Sequence, residues 1–211
     1  MKKNLLSLIL ILLLAFTLIG YCTTYTSSIP SLSNTYVKAT TYYGVQYYPY
    51  FPCDPTNSLT GGRDGNCWLT AITVVTNQRF HIDLTDPEII RRIYYENSHN
   101  SGGLTNSGAN NFTFWGSNTE ASFLDLDWEH DTGWTQLTIA QSTFDEHTGS
   151  DIADPKYILV TNTTSYRYYC FKIADNHGNA GLLGFRRVEL QTEDGWPPAV
   201  EVNVIFFGTI F

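Results

Sequence analysis

Gln78-Arg79-Phe80-His81-Ile82-Asp83-Leu84, followed by Thr85-Asp86-Pro87, decides the fold class. Phe80, Ile82 and Leu84 alternate with His81, Asp83 and Thr85, which is the period-two pattern of a half-buried strand. Asp86-Pro87 closes it with turn chemistry. Ile89–Tyr95 is the next apolar run, and it leads into residues 97–111, which are rich in Gly, Asn and Ser, so it reads as a strand rather than a helix. Phe112 and Phe114 bracket Thr113 on another strand; Trp134–Ile139 and Lys156–Val160 follow. Tyr169, Phe171 and Ile173 share one strand face, with Tyr168, Cys170 and Lys172 on the other. Val188 and Leu190 mark one more strand, and Val200, Val202, Val204 and Phe206 alternate with Glu201, Asn203 and Ile205. Seven or more short strands joined by turns predict an all-β sandwich or jelly roll.

The composition agrees. Thr, Tyr, Val, Ile and Gly dominate over helix formers, and 14 Tyr with 5 Trp suit both sheet cores and binding surfaces. A net charge of −8 argues against a nucleic-acid partner, because phosphate binding needs a concentrated basic surface.

Lys2-Lys3 followed by the apolar stretch Leu5–Ile19 reads as a signal peptide or anchor over residues 1–21, slightly short for a bilayer span of ~20 residues. Cys22 sits in a partial lipobox spoiled by Tyr21. Each version places the protein outside the cytoplasm, secreted or surface-anchored, with membrane contact only through the N-terminal anchor or a lipid. Residues 22–34 are Ser/Thr-rich and read as a linker, residues 35–191 as the domain, and residues 192–211 as a C-terminal β extension. Its apolar run Ala199–Phe211 suits an added edge strand or self-association with a partner chain.

In an oxidising compartment the cysteines are expected to be structural, with Cys53 and Cys67, which flank a Gly-rich turn, as the favoured disulfide. Asn66-Cys67-Trp68 with a downstream His177 also resembles a papain-type nucleophile segment. That chemistry needs a helix N-terminus at the thiol, whereas Leu69–Thr76 is β-branched and a poor helix. The chain is expected not to be an enzyme. Asp125, Asp127, Glu129 and Asp131 lack the mid-loop Gly of a calcium loop and read as a solvated acidic loop.

Three stretches, in this order and spacing, resemble the discoidin family, the coagulation factor 5/8 C-terminal-type, galactose-binding-like domains. They are Asp64-Gly65-Asn66-Cys67-Trp68; Gln78 to Leu84 with Pro87, Ile89-Ile90-Arg91-Arg92-Ile93 and Phe112-Thr113-Phe114-Trp115-Gly116-Ser117-Asn118; and Thr163 to Ile173 with Asn176-His177-Gly178-Asn179 and Val188-Glu189-Leu190. The resemblance implies a sandwich of about eight antiparallel strands with ligand loops at one end. It implies binding of glycans, lipid head groups or proteins without catalysis, and the expected ligand is a carbohydrate on a cell surface. It places those loops at Tyr42–Phe51, Asn97–Gly103 and the turn around His177. The expected contacts are Tyr47, Tyr48, Asn97, His99, His177 and Asn179, with rings for the apolar faces of sugars and amides or imidazoles for their hydroxyls.

Sugar-binding members commonly hold a structural calcium in the Asp-Gly loop. Here the Thr before Trp68 is missing and Arg187 stands near the expected Glu, so calcium and any other cofactor are disfavoured. The expectation is instead that the Arg187 guanidinium replaces the ion and pairs with Asp64, with Trp68 structural beside them.

Overall fold

A computed structural model describes residues 23–195. The signal or anchor segment, Cys22 and the Ala199–Phe211 run lie outside the described residues. Ten strands are present among them: β1 (Tyr25–Ser28), β2 (Val37–Ala39), β3 (Trp68–Leu69), β4 (Gln78–Glu88), β5 (Ile90–Asn97), β6 (Phe112–Ser117), β7 (Thr135–Ile139), β8 (Lys156–Thr161), β9 (Tyr166–Ile173) and β10 (Gly184–Glu193). One short α-helix, α1 (Glu120–Leu124), and three single-turn 3-10 helices interrupt them.

The strands follow the order β1-β10-β5-β8-β7-β6-β9-β4-β2, with β3 against β10, and every pairing between named strands is antiparallel. The path folds into two layers. β1, β10, β5 and β8 form one; β7, β6, β9, β4 and β2 form the other. The short β7–β8 ladder, Thr138 opposite Thr161 and Ile139 opposite Val160, joins them along one side. Inward residues of both layers meet in one core that includes Trp68, Phe80, Ile82, Ile93, Tyr95, Phe114, Tyr169, Phe171, Phe185 and Val188. Gly184 lies where β3 crosses, and a Cβ there would stand 2.0 Å from the Trp68 carbonyl oxygen.

The all-β expectation holds, and β9 alternates as read. Three local expectations change. The β4 strand is buried on both faces, because residues 118–134 fold over the outer side of the second layer. Phe123 and Trp134 pack on Tyr168 and Cys170, and the His81 ring lies 4.9 Å from Trp134. The strand also runs through Asp86-Pro87 to Glu88, using an irregularity between Asp83 and Glu88. The Ser/Thr-rich stretch before residue 35 is not all tether, since Tyr25–Ser28 pairs with Leu190–Glu193. Ser and Thr are acceptable in an edge strand, where the hydroxyls of Thr24 and Thr26 donate to Asp194.

Strand directions divide the connections between two poles. Residues 40–67, 70–77, 98–111, 140–155 and 174–183 lie at one pole. The first and last described residues leave at the other, where the Asp194 amide donates to the Thr24 carbonyl.

Candidate functional site

The loop pole is built on three arginines whose guanidiniums each donate to backbone carbonyls. Arg186 is fully buried and its guanidinium donates to the carbonyls of Ser58 (3.0 Å), Thr60 (2.9 Å), Gly61 (2.7 Å), Gly62 (3.0 Å) and His99 (3.3 Å). Arg63 donates to the Leu104 carbonyl and the Ser107 hydroxyl. Arg187 donates to the Asn57 carbonyl (2.6 Å) and to Glu189 (3.1 Å). A coiled segment without a ladder leaves carbonyls in need of donors, and a guanidinium offers five N–H groups in one plane.

This corrects the expected Arg187–Asp64 pair. Asp64 is exposed and accepts the Tyr47 hydroxyl. The guanidinium ringed by the loop's carbonyls belongs to the neighbouring Arg186. The ladder with β5 is irregular between Phe185 and Arg187, so Arg186 falls in the irregularity while Arg187 shares a strand face with Glu189. A calcium does not fit this loop, since its carbonyls already hold a cation. No group of three or more metal-ligating side chains occurs among the described residues.

Cys53 and Cys67 are also corrected, because they are separate buried thiols. Cys53 belongs to the main core, and the Cys67 thiol donates to the Arg63 carbonyl at 3.3 Å. Burial pushes the Cys67 thiol up to about 12. A buried, protonated thiol followed by a strand is the reverse of an activated nucleophile. Trp68 is fully buried with its indole N–H on the Thr41 carbonyl.

The expected ligand residues divide. Asn97 is 1% exposed, and its amide binds the Ala109 and Asp145 carbonyls and the Ser98 amide. His99 is fully buried, with Nε2 on the Leu59 carbonyl and Nδ1 accepting the Gly102 amide, and its ring stacks on His147 at 4.0 Å. Burial, with Arg186 nearby, lowers its pKa to about 4. Neither side chain reaches the surface, so both are removed from the ligand set. Asn179 and His177 are half-buried in a turn. The Asn179 amide caps the Gly181 and Leu182 amides and binds Asn106, and His177 Nε2 contacts the Phe144 carbonyl.

The Tyr42–Phe51 loop carries its rings in two tiers. Tyr47 and Tyr48 are half-buried supports: Tyr47 is tied to Asp64, and Tyr48 stacks on Tyr50 at 5.5 Å. Burial and the Asp64 bond hold the Tyr47 phenol up to about 12. In front of them stand Tyr43, 5.5 Å from Tyr47, and Tyr42, 5.3 Å from Tyr48. Tyr42 and Tyr43 are 43% and 48% exposed, Val45 69% and Ile72 54%. The Tyr43 amide donates to the Leu69 carbonyl, which fixes this loop to the strand leading to Ile72. Thr73, next to Ile72, has φ 67°, a strained setting for a β-branched residue that its bond to the Gly181 carbonyl holds in place.

Sequence reasoning picked the supports and missed the outer residues. Tyr42 and Tyr43 were legible as part of the aromatic loop; Ile72 had no signal, because it reads as one more β-branched residue. The acidic loop lies away from this pole. There Asp125 and Asp127 accept the amides two residues on, and Asp131 binds Arg79 and Lys172.

No protein-family model and no curated protein sequence matches the chain. Solved structures do. Chitosan-binding module 1 of a chitosanase/glucanase from Paenibacillus sp. IK-5 is 14% identical, with a TM-score of 0.53 over 78% of this chain and 98% of that one. The family 32 carbohydrate-binding module of Clostridium perfringens NanJ, solved in complex with galactose, is 12% identical, with a TM-score of 0.52 over 80% of this chain and all of that one. Another module of that family from Clostridium perfringens, in complex with GalNAc-β-1,3-galactose, is 12% identical, with a TM-score of 0.51 over 73% and 92%. The fold is therefore the discoidin-type, galactose-binding-like jelly roll.

Proposed function

We propose that this chain is a non-catalytic carbohydrate-binding module, exported and held by its N-terminal end, that grips a surface glycan through Tyr42, Tyr43, Val45 and Ile72. One observation carries the reading. Tyr42, Tyr43, Val45 and Ile72 are exposed on two segments that the Tyr43–Leu69 backbone bond ties together, at the pole opposite the point where the described ends leave. Exposed aromatic groups with rigid backing match the apolar faces of pyranose rings, and ordering them beforehand lowers the entropy lost on binding. The likeness to modules solved with galactose and with GalNAc-β-1,3-galactose supports the ligand class.

A glycan array probed with the purified chain tests this. Binding to at least one glycan is expected, and Tyr42→Ala/Tyr43→Ala should weaken it by more than about tenfold, or roughly 1.4 kcal/mol. The thermal midpoint should hardly move, since both rings are half exposed. Binding to liposomes instead, or glycan binding indifferent to both rings, would sink the reading.

A further inference from the structure

The two layers are finished differently on their outer sides. Residues 118–134 cover the second layer, whereas the β5–β8–β10 face of the first stays open, with Tyr157 and Leu159 exposed at 52% and 54%. Register places outward residues in rows: Glu189, Tyr94 and Tyr157 side by side, Gln191, Arg92 and Leu159 in the next row, and Arg187 beside Glu96 beyond. Leu59 and Pro155 wall the end of this face nearest the loop pole and complete a cleft of about 310 Å³. That volume lies at the lower end of small-ligand sites, roughly 300–1,000 Å³.

The lining is polar at its floor and aromatic at its rim. Glu96 is fully buried and accepts the Tyr94 hydroxyl (2.6 Å) and the Asp154 amide (2.9 Å). Glu189 accepts the Ser27 hydroxyl (2.6 Å) and Arg187 (3.1 Å). A carboxylate has about four lone-pair sites, so the partly exposed Glu189 keeps acceptor capacity while its orientation is fixed, and the fully buried Glu96 acts through the Tyr94 hydroxyl that it orients. At the rim, Tyr157 lies 5.4 Å from Tyr94, and Arg92 is clamped between Tyr157 (4.5 Å) and Tyr25 (3.8 Å) while donating to Gln191. Arg187 is ion-paired with Glu189 and Arg92 stands at the rim, so this face carries two guanidiniums and two carboxylates rather than a run of one sign. It offers acceptors for hydroxyl donors and ring faces for C–H groups.

We propose that this cleft is a second saccharide subsite, taking a neutral pyranose unit independently of the loop patch. The two sites use different residues, so either can fail without the other.

Amide chemical-shift mapping of the full chain tests it, with galactose and GalNAc-β-1,3-galactose as neutral probes and galacturonate and glucosamine as charged ones. The neutral probes are expected to shift residues 94, 96, 157, 189 and 191. Tyr157→Ala should weaken those shifts about tenfold or more, Tyr157→Phe should retain them, and Tyr42→Ala/Tyr43→Ala should leave them unchanged. A cleft silent toward both neutral probes at millimolar concentration overturns the proposal. So does a preference for either charged probe, or shifts that survive Tyr157→Ala.

Discussion

Arg186→Met is expected to cost the protein roughly 3–5 kcal/mol of stability, because several carbonyls lose their donor together at about 1–3 kcal/mol each. Methionine fills much of the same space but donates nothing. The carbonyls of Ser58, Thr60, Gly61, Gly62 and His99 would then face one another without a donor. Each buried carbonyl left unsatisfied costs about 1–3 kcal/mol unless water enters, and water entry means loosening residues 57–62. The urea midpoint measures the loss. Arg186→Lys should recover only part of it, because an ammonium has three donors and no planar fork. A loss under about 1 kcal/mol for Arg186→Met would mean that the loop holds its shape without this guanidinium. Because the same pole carries the exposed tyrosines, Arg186→Met should also blunt ligand binding, through position rather than contact.

Arg186 also shows where the sequence stops being readable. The architecture followed from period-two patterns such as Phe80/Ile82 and Tyr169/Phe171/Ile173, since alternation reports directly which side meets the core. The need for a cation in the Asp-Gly loop was legible as well, from the ligands it lacks. Which arginine supplies it was not. Strict alternation cannot put Phe185, Val188 and Leu190 all in the core, and the irregularity between Phe185 and Arg187 that reconciles them and sets Arg186 apart from Arg187 leaves no mark in the pattern. Asn97 and His99 misled for a related reason. Polar residues beside a predicted ligand loop look like ligand contacts, yet a pole made of coil must satisfy its own backbone first, and those side chains are consumed in doing so. His81 and Cys170 are buried by residues 118–134, a cover that local patterning along β4 and β9 cannot announce.

Acid should weaken the fold well above the carboxylate range. Burial, only partly offset by the Phe123 carbonyl on Nδ1, lowers the pKa of His81 to about 3, and burial likewise takes His99 to about 4. The unfolded chain binds protons on both near pH 6.5. Between there and the folded values the unfolded state holds more protons, so stability falls as pH falls. At one pH unit per roughly 1.36 kcal/mol, His81 alone should remove on the order of 3 kcal/mol by pH 4, with a smaller share from His99. His130 acts in the opposite sense, since its bond to Asp125 raises its pKa, but it is exposed and cannot offset a buried ring. Asp131, held low by Lys172 and Arg79 against the effect of burial, enters only below its ordinary range. The chain should therefore lose stability in two stages, histidines first and carboxylates later. Urea midpoints collected from pH 7 to 4 should slope by more than one proton in the upper stage, and His81→Phe should remove about one proton from that slope. A flat profile above pH 4.5 would contradict the neutral, buried state of His81. A slope that persists in His81→Phe would place the proton uptake at His99, and with it the acid sensitivity at the loop pole that presents the tyrosines.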